Sequence, residues 1–309
     1  MKLLFIVNGL GLGNSTRCDS IITELIKRHM EIDVLTSGNG LQYFKERSYI
    51  SHLFAFKSLY YGSNNGELSV WRTILAIPDF IRIFFRNVAF LNSLLRKNAY
   101  SGIVIDSDYT MLWLKPFVKI PVFALNNADI VVEECRKLSN LPKEIRMQYL
   151  IERCDNWFHK TIPDFVLSPA VFPPNNQGKL IHLPPIIRDG LKPVDHSDTL
   201  KTILLMLSGS QFGASTAFIH KLPRRPDLKI YVVGRDGEDT EWITYYGKNY
   251  DNKNIANQAD MMIINAGFSA VSEAVVVRKP SVIIPVPNHA EQYINAMTIE
   301  KAGLGLSAD

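Results

Sequence analysis

Short apolar runs alternate with amphipathic stretches along most of this chain, and the alternation predicts its elements. Lys2–Val7 reads as a buried strand that runs into a glycine turn, Gly9-Leu10-Gly11-Leu12-Gly13. Ser15–Arg28 follows as a helix with Ile21, Ile22, Leu25 and Ile26 on one side. Glu31–Thr36 is the next strand, closed by Ser37-Gly38-Asn39-Gly40, and a further strand is expected near His52–Phe56. Val70–Leu95 is helical in pattern, with Pro78 starting, ending or bending a helix there. Gly102–Asp106 and Pro121–Leu125 are strands, Glu133–Phe158 is mainly helix interrupted around Pro142, and Asp164–Leu167 returns to strand. Apolar strands separated by helices predict a mostly parallel sheet covered on both faces.

The rhythm breaks at Leu183–Thr199, where Pro184, Pro185, Gly190 and Pro193 mark a domain boundary, and then restarts. Ile203–Leu207, Lys229–Val233, Met261–Ile264 and Ser281–Pro285 are strands, with helices over Ala270–Val277 and Glu291–Lys301. The expected architecture is α/β, with two Rossmann-like domains, 1–190 and 191–309, facing across a cleft. Gly247–Gln258 is short of apolar residues where another strand belongs, and Gly303–Asp309 stops after a helix. The second domain is therefore expected to be incomplete at its C-terminal end, by truncation or by missing residues.

Composition narrows the function. The 309 residues fill two domains of about 150 each. A net charge of +4 suits an anionic ligand but is too small for a nucleic-acid binder. Cys18, Cys135 and Cys154 are too widely spaced for a metal knuckle, and their odd number favours a reducing compartment. With no signal peptide and no apolar run long enough to span a bilayer, a cytoplasmic location is expected.

The chemistry-bearing stretch is Asn265-Ala266-Gly267-Phe268-Ser269-Ala270-Val271-Ser272-Glu273. It reads as strand, tight turn and helix start, and a helix start presents backbone N–H groups that favour a phosphate. Ser269 or Ser272 could equally serve as a helix cap. The first glycine turn is a poor dinucleotide fingerprint: Asn14-Ser15-Thr16 stand where the spacing falters, and no acidic residue closes Asp33–Ser37.

Three motifs resemble those of the GT-B glycosyltransferase superfamily, in particular its lipid II N-acetylglucosaminyltransferase branch (family 28) and related prokaryotic proteins. They are Gly9 to Arg17, Ser208-Gly209-Ser210-Gln211-Phe212-Gly213-Ala214, and Asn265–Glu273 continuing through Pro285-Val286-Pro287-Asn288-His289-Ala290-Glu291-Gln292 to Ala296. The resemblance implies a second domain that binds a nucleotide diphosphate sugar, UDP-linked by preference, and a first domain that takes the acceptor. It places Ser210 and Gln211 beside the diphosphate and Gly267, Phe268, Ser269 and Ala270 at the phosphate-facing helix start. Glu273 would accept the ribose hydroxyls, since a carboxylate offers only acceptors to two donors. Glu291 and Gln292 would meet the donor sugar. No metal and no cofactor beyond the donor are implied, because a helix start can stabilise a leaving diphosphate.

On the acceptor side lie Gly11, Gly13 and Arg17, which binds an acceptor phosphate or pairs on its own helix. Asn14 departs from the pattern, because relatives place a histidine there and asparagine cannot act as a general base. Asp106 and Asp108, at a strand end, are then the candidates to take the proton during inverting transfer, although Asp108 could cap the following helix. A hexosyltransferase is the leading expectation, ahead of a nucleotide-sugar epimerase and a catalytically degenerate nucleotide-sugar binder. The segment from Trp71 to Arg86 mixes aromatic bulk with arginines. It suits either packing on its own sheet or peripheral contact with the anionic inner membrane surface and a lipid-linked acceptor.

Overall fold

The computed structural model describes residues 1–57, 63–64, 67–68, 77–193, 199–207, 219, 225–247 and 251–308. The chain forms two compact units, Met1–Ile130 with Arg153–Pro184, and Val131–Glu152 with Pro185–Asp309.

The first unit opens with β1 (Lys2–Val7), α1 (Leu12–Lys27), β2 (Glu31–Thr36), α2 (Gly38–Lys45) and β3 (His52–Ala55). A small antiparallel pair, β4 (Ser63–Asn64) and β5 (Glu67–Leu68), precedes α3 (Ile77–Lys97). Then come β6 (Gly102–Asp106), α4 (Thr110–Leu114), β7 (Val122–Leu125), α5 (Ala128–Lys137), α6 (Arg146–Thr161), β8 (Phe165–Pro169) and β9 (Leu180–Leu183). Seven strands make one parallel sheet in the order β3-β2-β1-β6-β7-β8-β9. Alternate residues of the central strands, Leu4, Ile6, Ile103 and Ile105, are fully buried against Leu91 of α3 and Met111 of α4. Each such side chain contributes about 1.5–3 kcal/mol. Phe5, between them, is also fully buried, so both faces are covered as the apolar runs predict. Pro78 lies in the first turn of α3, where its missing N–H costs no helical hydrogen bond.

The second unit carries β10 (Thr202–Met206), β11 (Lys229–Val233), β12 (Ile243–Tyr245), α7 (Lys253–Gln258), β13 (Met261–Asn265), α8 (Phe268–Val276), β14 (Ser281–Ile284), α9 (Ala290–Lys301) and β15 (Leu306–Ser307). Its sheet runs β12-β11-β10-β13-β14-β15, again parallel throughout. Ile203, Leu205, Ile230, Val232 and Ile243 form its core. The Asn-rich stretch after Gly247 supplies α7 rather than a strand; the strand comes earlier, as β12. The segment after α9 is not structureless, because β15 pairs with β14 through Val282–Leu306 and Ile283–Ser307. The expected helix over Glu133–Phe158 is two helices, parted by a short 3-10 turn at Lys143–Ile145. Val131, Cys135 and Ile145 of this stretch pack with Ala290 and Ile294 of α9.

The order in which strands are added reverses once in each sheet. In the first unit β1 is followed on one side by β2 and flanked on the other by β6; in the second, β10 stands likewise between β11 and β13. Loops leaving the two central strands diverge there, and ligands of open α/β sheets bind at that point. The Gly9–Gly13 turn follows β1 and the Asp106–Asp108 segment follows β6. The Gly267 turn follows β13, and the 208–213 loop, which lies outside the described residues, follows β10. Every motif singled out along the chain thus leaves a strand at a reversal, or follows the next strand over. The Gly9 turn is pressed against the β2–α2 corner so closely that a Cβ on Gly9 would sit 1.7 Å from the carbonyl oxygen of Ser37. Only glycine fits there.

Candidate functional site

In the second unit β13 delivers the chain to Gly267, the N-cap of α8, whose backbone is extended with φ −63 and ψ 138. A Cβ on Gly267 would meet nothing within 4 Å, so the ground before the helix is open among the described residues. The helix's own ladder begins with the Val271 N–H on the Gly267 carbonyl at 3.1 Å. The N–H groups of Phe268, Ser269 and Ala270 therefore precede it. Phe268 is buried and anchors the turn, while Ser269 and Ala270 are half-buried. Neighbouring loops are laced to this turn: Asn295 of α9 donates to the Ala266 carbonyl at 2.9 Å, and Asn265 donates to that of Ile284 at 3.0 Å. Gln292 accepts the Val286 N–H at 2.9 Å, which fixes its carbonyl end and keeps its NH2 group to donate. Glu291 lies beside it in the first turn of α9, half-buried. His289, at the N-cap of α9, has a buried Nδ1 without a partner among the described residues. Ser210 and Gln211 lie outside the described residues.

Glu273 stands one helical turn beyond Ser269 on the same face of α8. It is 5% exposed, and Arg188 grips both its oxygens, Nε to Oε1 at 2.6 Å and Nη2 to Oε2 at 2.7 Å. Sequence reading missed Arg188, which sits in the proline-rich break at the domain boundary. The available signal was chemical: a carboxylate expected in a buried helix face needs a forked donor. Ser272, fully buried on α8, has a hydroxyl oxygen without a partner among the described residues.

In the first unit the two acidic candidates part company. Asp106 is fully buried at the end of β6, and Arg17 meets it twice, Nε to Oδ2 at 2.8 Å and Nη2 to Oδ1 at 2.6 Å. The Cys18 thiol donates to Oδ2 at 3.2 Å, and burial together with Asp106 pushes that thiol well above its ordinary range. Arg17 is itself 6% exposed and also reaches the Asn14 side-chain oxygen at 3.4 Å. The strong pairing of Arg17 is thus not on its own helix, as the sequence allowed, but across to the end of β6. Asp106 has no exposed surface in this structure, and both its oxygens are engaged.

Asp108 is only half-buried. Ser107, at φ 52, turns the backbone between the two acids, and Asp108 Oδ1 accepts the Thr110 N–H at 2.8 Å and the Thr110 hydroxyl. Burial pushes the Asp108 carboxyl above its ordinary value, against the pull of those hydrogen bonds. Gly11 caps α1 with open space before it, Gly13 and Asn14 lie in its first turn, and Asn14 is half-buried. Nearby, His159 of α6 is buried and contacts Asp155 Oδ1 through Nδ1 at 3.1 Å. Asp155 in turn accepts from Asn126 at 2.7 Å and from the Tyr109 hydroxyl. Burial disfavours the His159 cation, but Asp155 outweighs it and raises the imidazole.

Among the described residues one cluster of candidate cation ligands occurs, Glu31, Asp33 and His52. It already has a cation, since Lys2 Nζ lies 2.9 Å from Glu31 and 3.0 Å from Asp33. It sits at the start of β2 and β3, the opposite strand ends from the motif loops.

Two parallel α/β sheets, each with its motifs at a strand-order reversal, make a fold of the GT-B type. The family model for glycosyl transferase family 1 matches residues 1–309, and the chain belongs to that family. It is 24% identical to an uncharacterised glycosyltransferase of Methanosarcina acetivorans, over 99% of this chain and 85% of that protein. It is 22% identical to the UDP-N-acetylglucosamine–N-acetylmuramyl-(pentapeptide) pyrophosphoryl-undecaprenol N-acetylglucosamine transferase of Rickettsia felis, over 98% and 85%. Among solved structures, MurG of Acinetobacter baumannii superposes with a TM-score of 0.58 at 15% identity, covering 99% of this chain and 85% of that one. LpCGTa in complex with UDP gives a TM-score of 0.63 at 15% identity, covering 99% and 84%. These structural likenesses bear out the expected fold class.

The Arg17–Asp106 pair makes a direct prediction. Asp106→Asn strands a buried guanidinium and should cost about 3–5 kcal/mol of stability, measured by urea unfolding at neutral pH. An unchanged midpoint would return Asp106 to the catalytic candidates.

Proposed function

We propose that this glycosyltransferase moves a hexosyl group from a UDP-linked donor to a lipid-linked, glycan or small-molecule acceptor, with inversion and without a metal. The observation that carries the reading is the spacing on α8. Glu273 lies four positions after Ser269, a rise of about 6 Å. That suits a ribose whose hydroxyls meet the carboxylate while its 5′-phosphate meets the helix start. The names of two similar proteins agree with it: the Rickettsia felis relative uses UDP-N-acetylglucosamine and LpCGTa was solved with UDP. Ser210 and Gln211 would complete the diphosphate site, and Glu291 and Gln292 the sugar site.

In the reaction an acceptor oxygen attacks the anomeric carbon opposite the diphosphate. The bond from that carbon to the leaving oxygen breaks, its electrons pass to the diphosphate, and the N–H groups at the start of α8 stabilise the charge. Asp108 is the base we assign. It is within reach of solvent where Asp106 is not, and burial makes its carboxylate a better proton acceptor than an ordinary aspartate. Asn14 would orient the acceptor hydroxyl. A second reading, a nucleotide-sugar binder without turnover, is favoured by Asn14 and by the sequestering of Asp106.

No described helix is long and apolar enough to cross a membrane. A peripheral contact on the cytoplasmic side has a candidate surface in the first unit. Phe85 of α3 lies 5.7 Å from Trp113 of α4, ring to ring, and Ile81, Phe85, Trp113 and Phe117 are 52%, 49%, 56% and 83% exposed. Arg82 and Arg86 flank them on α3, a pattern suited to an anionic bilayer.

Three outcomes check this reading. Glu273→Ala should weaken UDP binding at least about 10-fold by calorimetry, because the ribose loses a charged acceptor; an unchanged titration would sink the ribose assignment. Asp108→Asn should lower transfer or donor hydrolysis by about 10²-fold or more while UDP still binds. Its raised carboxyl value means the charged form is disfavoured by folding, and that group's stabilising effect fades as pH rises through the folded value. The asparagine variant should therefore melt no lower than the parent at neutral pH. Finally, Phe85→Ser with Trp113→Ser should abolish co-sedimentation with phosphatidylglycerol vesicles, and retained binding would dismiss that surface.

A further inference from the structure

Glu273 poses a difficulty for any ribose, because its carboxylate is already occupied. Arg188 gives one N–H to each oxygen, at 2.6 and 2.7 Å, and the glutamate is left 5% exposed. A ribose brings the same pattern, two adjacent O–H donors with no competing charge on the ring. The guanidinium fork and the cis-diol are chemical equivalents at this carboxylate.

We propose that Arg188 is a positioning residue of the donor site that stands in for the ribose diol, holding Glu273 in its two-acceptor pose and leaving when a nucleotide enters. This rests on the donor-site reading and adds to it an internal competitor.

Three observations support exchange over simultaneous binding. The carboxylate is 5% exposed with an N–H already on each oxygen, which leaves it little surface for two further hydroxyls. The arginine side chain is 12% exposed against 6% for the glutamate, so solvent reaches the arginine more than the acid it holds. The segment bearing it is fastened independently beyond the arginine: Asn257 of α7 donates to the Gly190 carbonyl at 2.9 Å and accepts the Lys192 N–H at 3.2 Å. The backbone beside the arginine is therefore held by contacts that do not depend on the Arg188–Glu273 pair. A purely structural ion pair gives the opposite expectation, since loss of the arginine would then damage the site.

The test is the sign of an affinity change. Uridine, which has the diol but no phosphate to attract a displaced arginine, is titrated against the whole protein and against Arg188→Gln, with UDP alongside. Exchange predicts that Arg188→Gln binds uridine at least about 10-fold more tightly, because no partner has to be displaced. It predicts further that the gain vanishes when Glu273→Gln is added. Arg188→Lys, which keeps the charge but lacks the fork, should show a smaller gain of the same sign and serves if the glutamine variant melts early. Unchanged or weaker uridine binding in a folded variant overturns the proposal while leaving the donor site intact. Failure of uridine and UDP to bind the parent and both variants overturns the donor reading, and the exchange with it.

Discussion

Parallel strands can be joined only by crossovers that carry the chain back to the same edge, and those crossovers are almost always right-handed. Successive strands therefore add to one side until the chain crosses to the other. At that crossing two loops leave neighbouring strands in opposite directions and open a gap at the C-terminal ends. Both units of this protein meet that constraint, at β1 against β6 and at β10 against β13. The glycine turns, the helix starts and the acidic residues discussed above are where they are because of it.

The same chemical pairing appears in both units with different consequences. Arg17 and Asp106 are sealed, at 6% and 0% exposure, and the pair ties α1 to the end of β6. In that environment a lone charge is costly and a forked one is tolerable, so the pair acts as a fastening under the glycine turn. Arg188 and Glu273 use the same fork nearer the surface, on a loop and a helix that begins at an open turn. Access, not residue type, separates the acid read here as structural from the one we propose for the ribose. Sequence alone put Asp106 and Asp108 on an equal footing, because the buried partner of Asp106 lies 89 positions away.

The strands that are apolar on both faces were legible at once. Lys2–Val7, Glu31–Thr36, Gly102–Asp106 and Lys229–Val233 fall where the pattern put them. Those that were not legible lack that signature. β9 is a four-residue edge strand beside a proline-rich break, and β12 has three residues set between polar loops. β15 has two, Leu306 exposed and Ser307 half-buried, and its pairing with β14 comes from register rather than from composition. α2 begins at glycines that read more naturally as a turn. Of the candidate site, the helix start and Glu273 were readable because they share one short segment. Arg188 was not, since its tie to Glu273 spans 85 residues.

The path of the chain has a practical side. Val131–Glu152 leaves the first unit's sequence to join the second, then returns at Arg153 before the final passage at Pro185. Val131, Cys135 and Ile145 rest on Ala290 and Ile294, which come far later. A fragment ending near Pro184 would present those three side chains to water with their partners removed. During synthesis the same three wait for α9 to emerge before they find their partners.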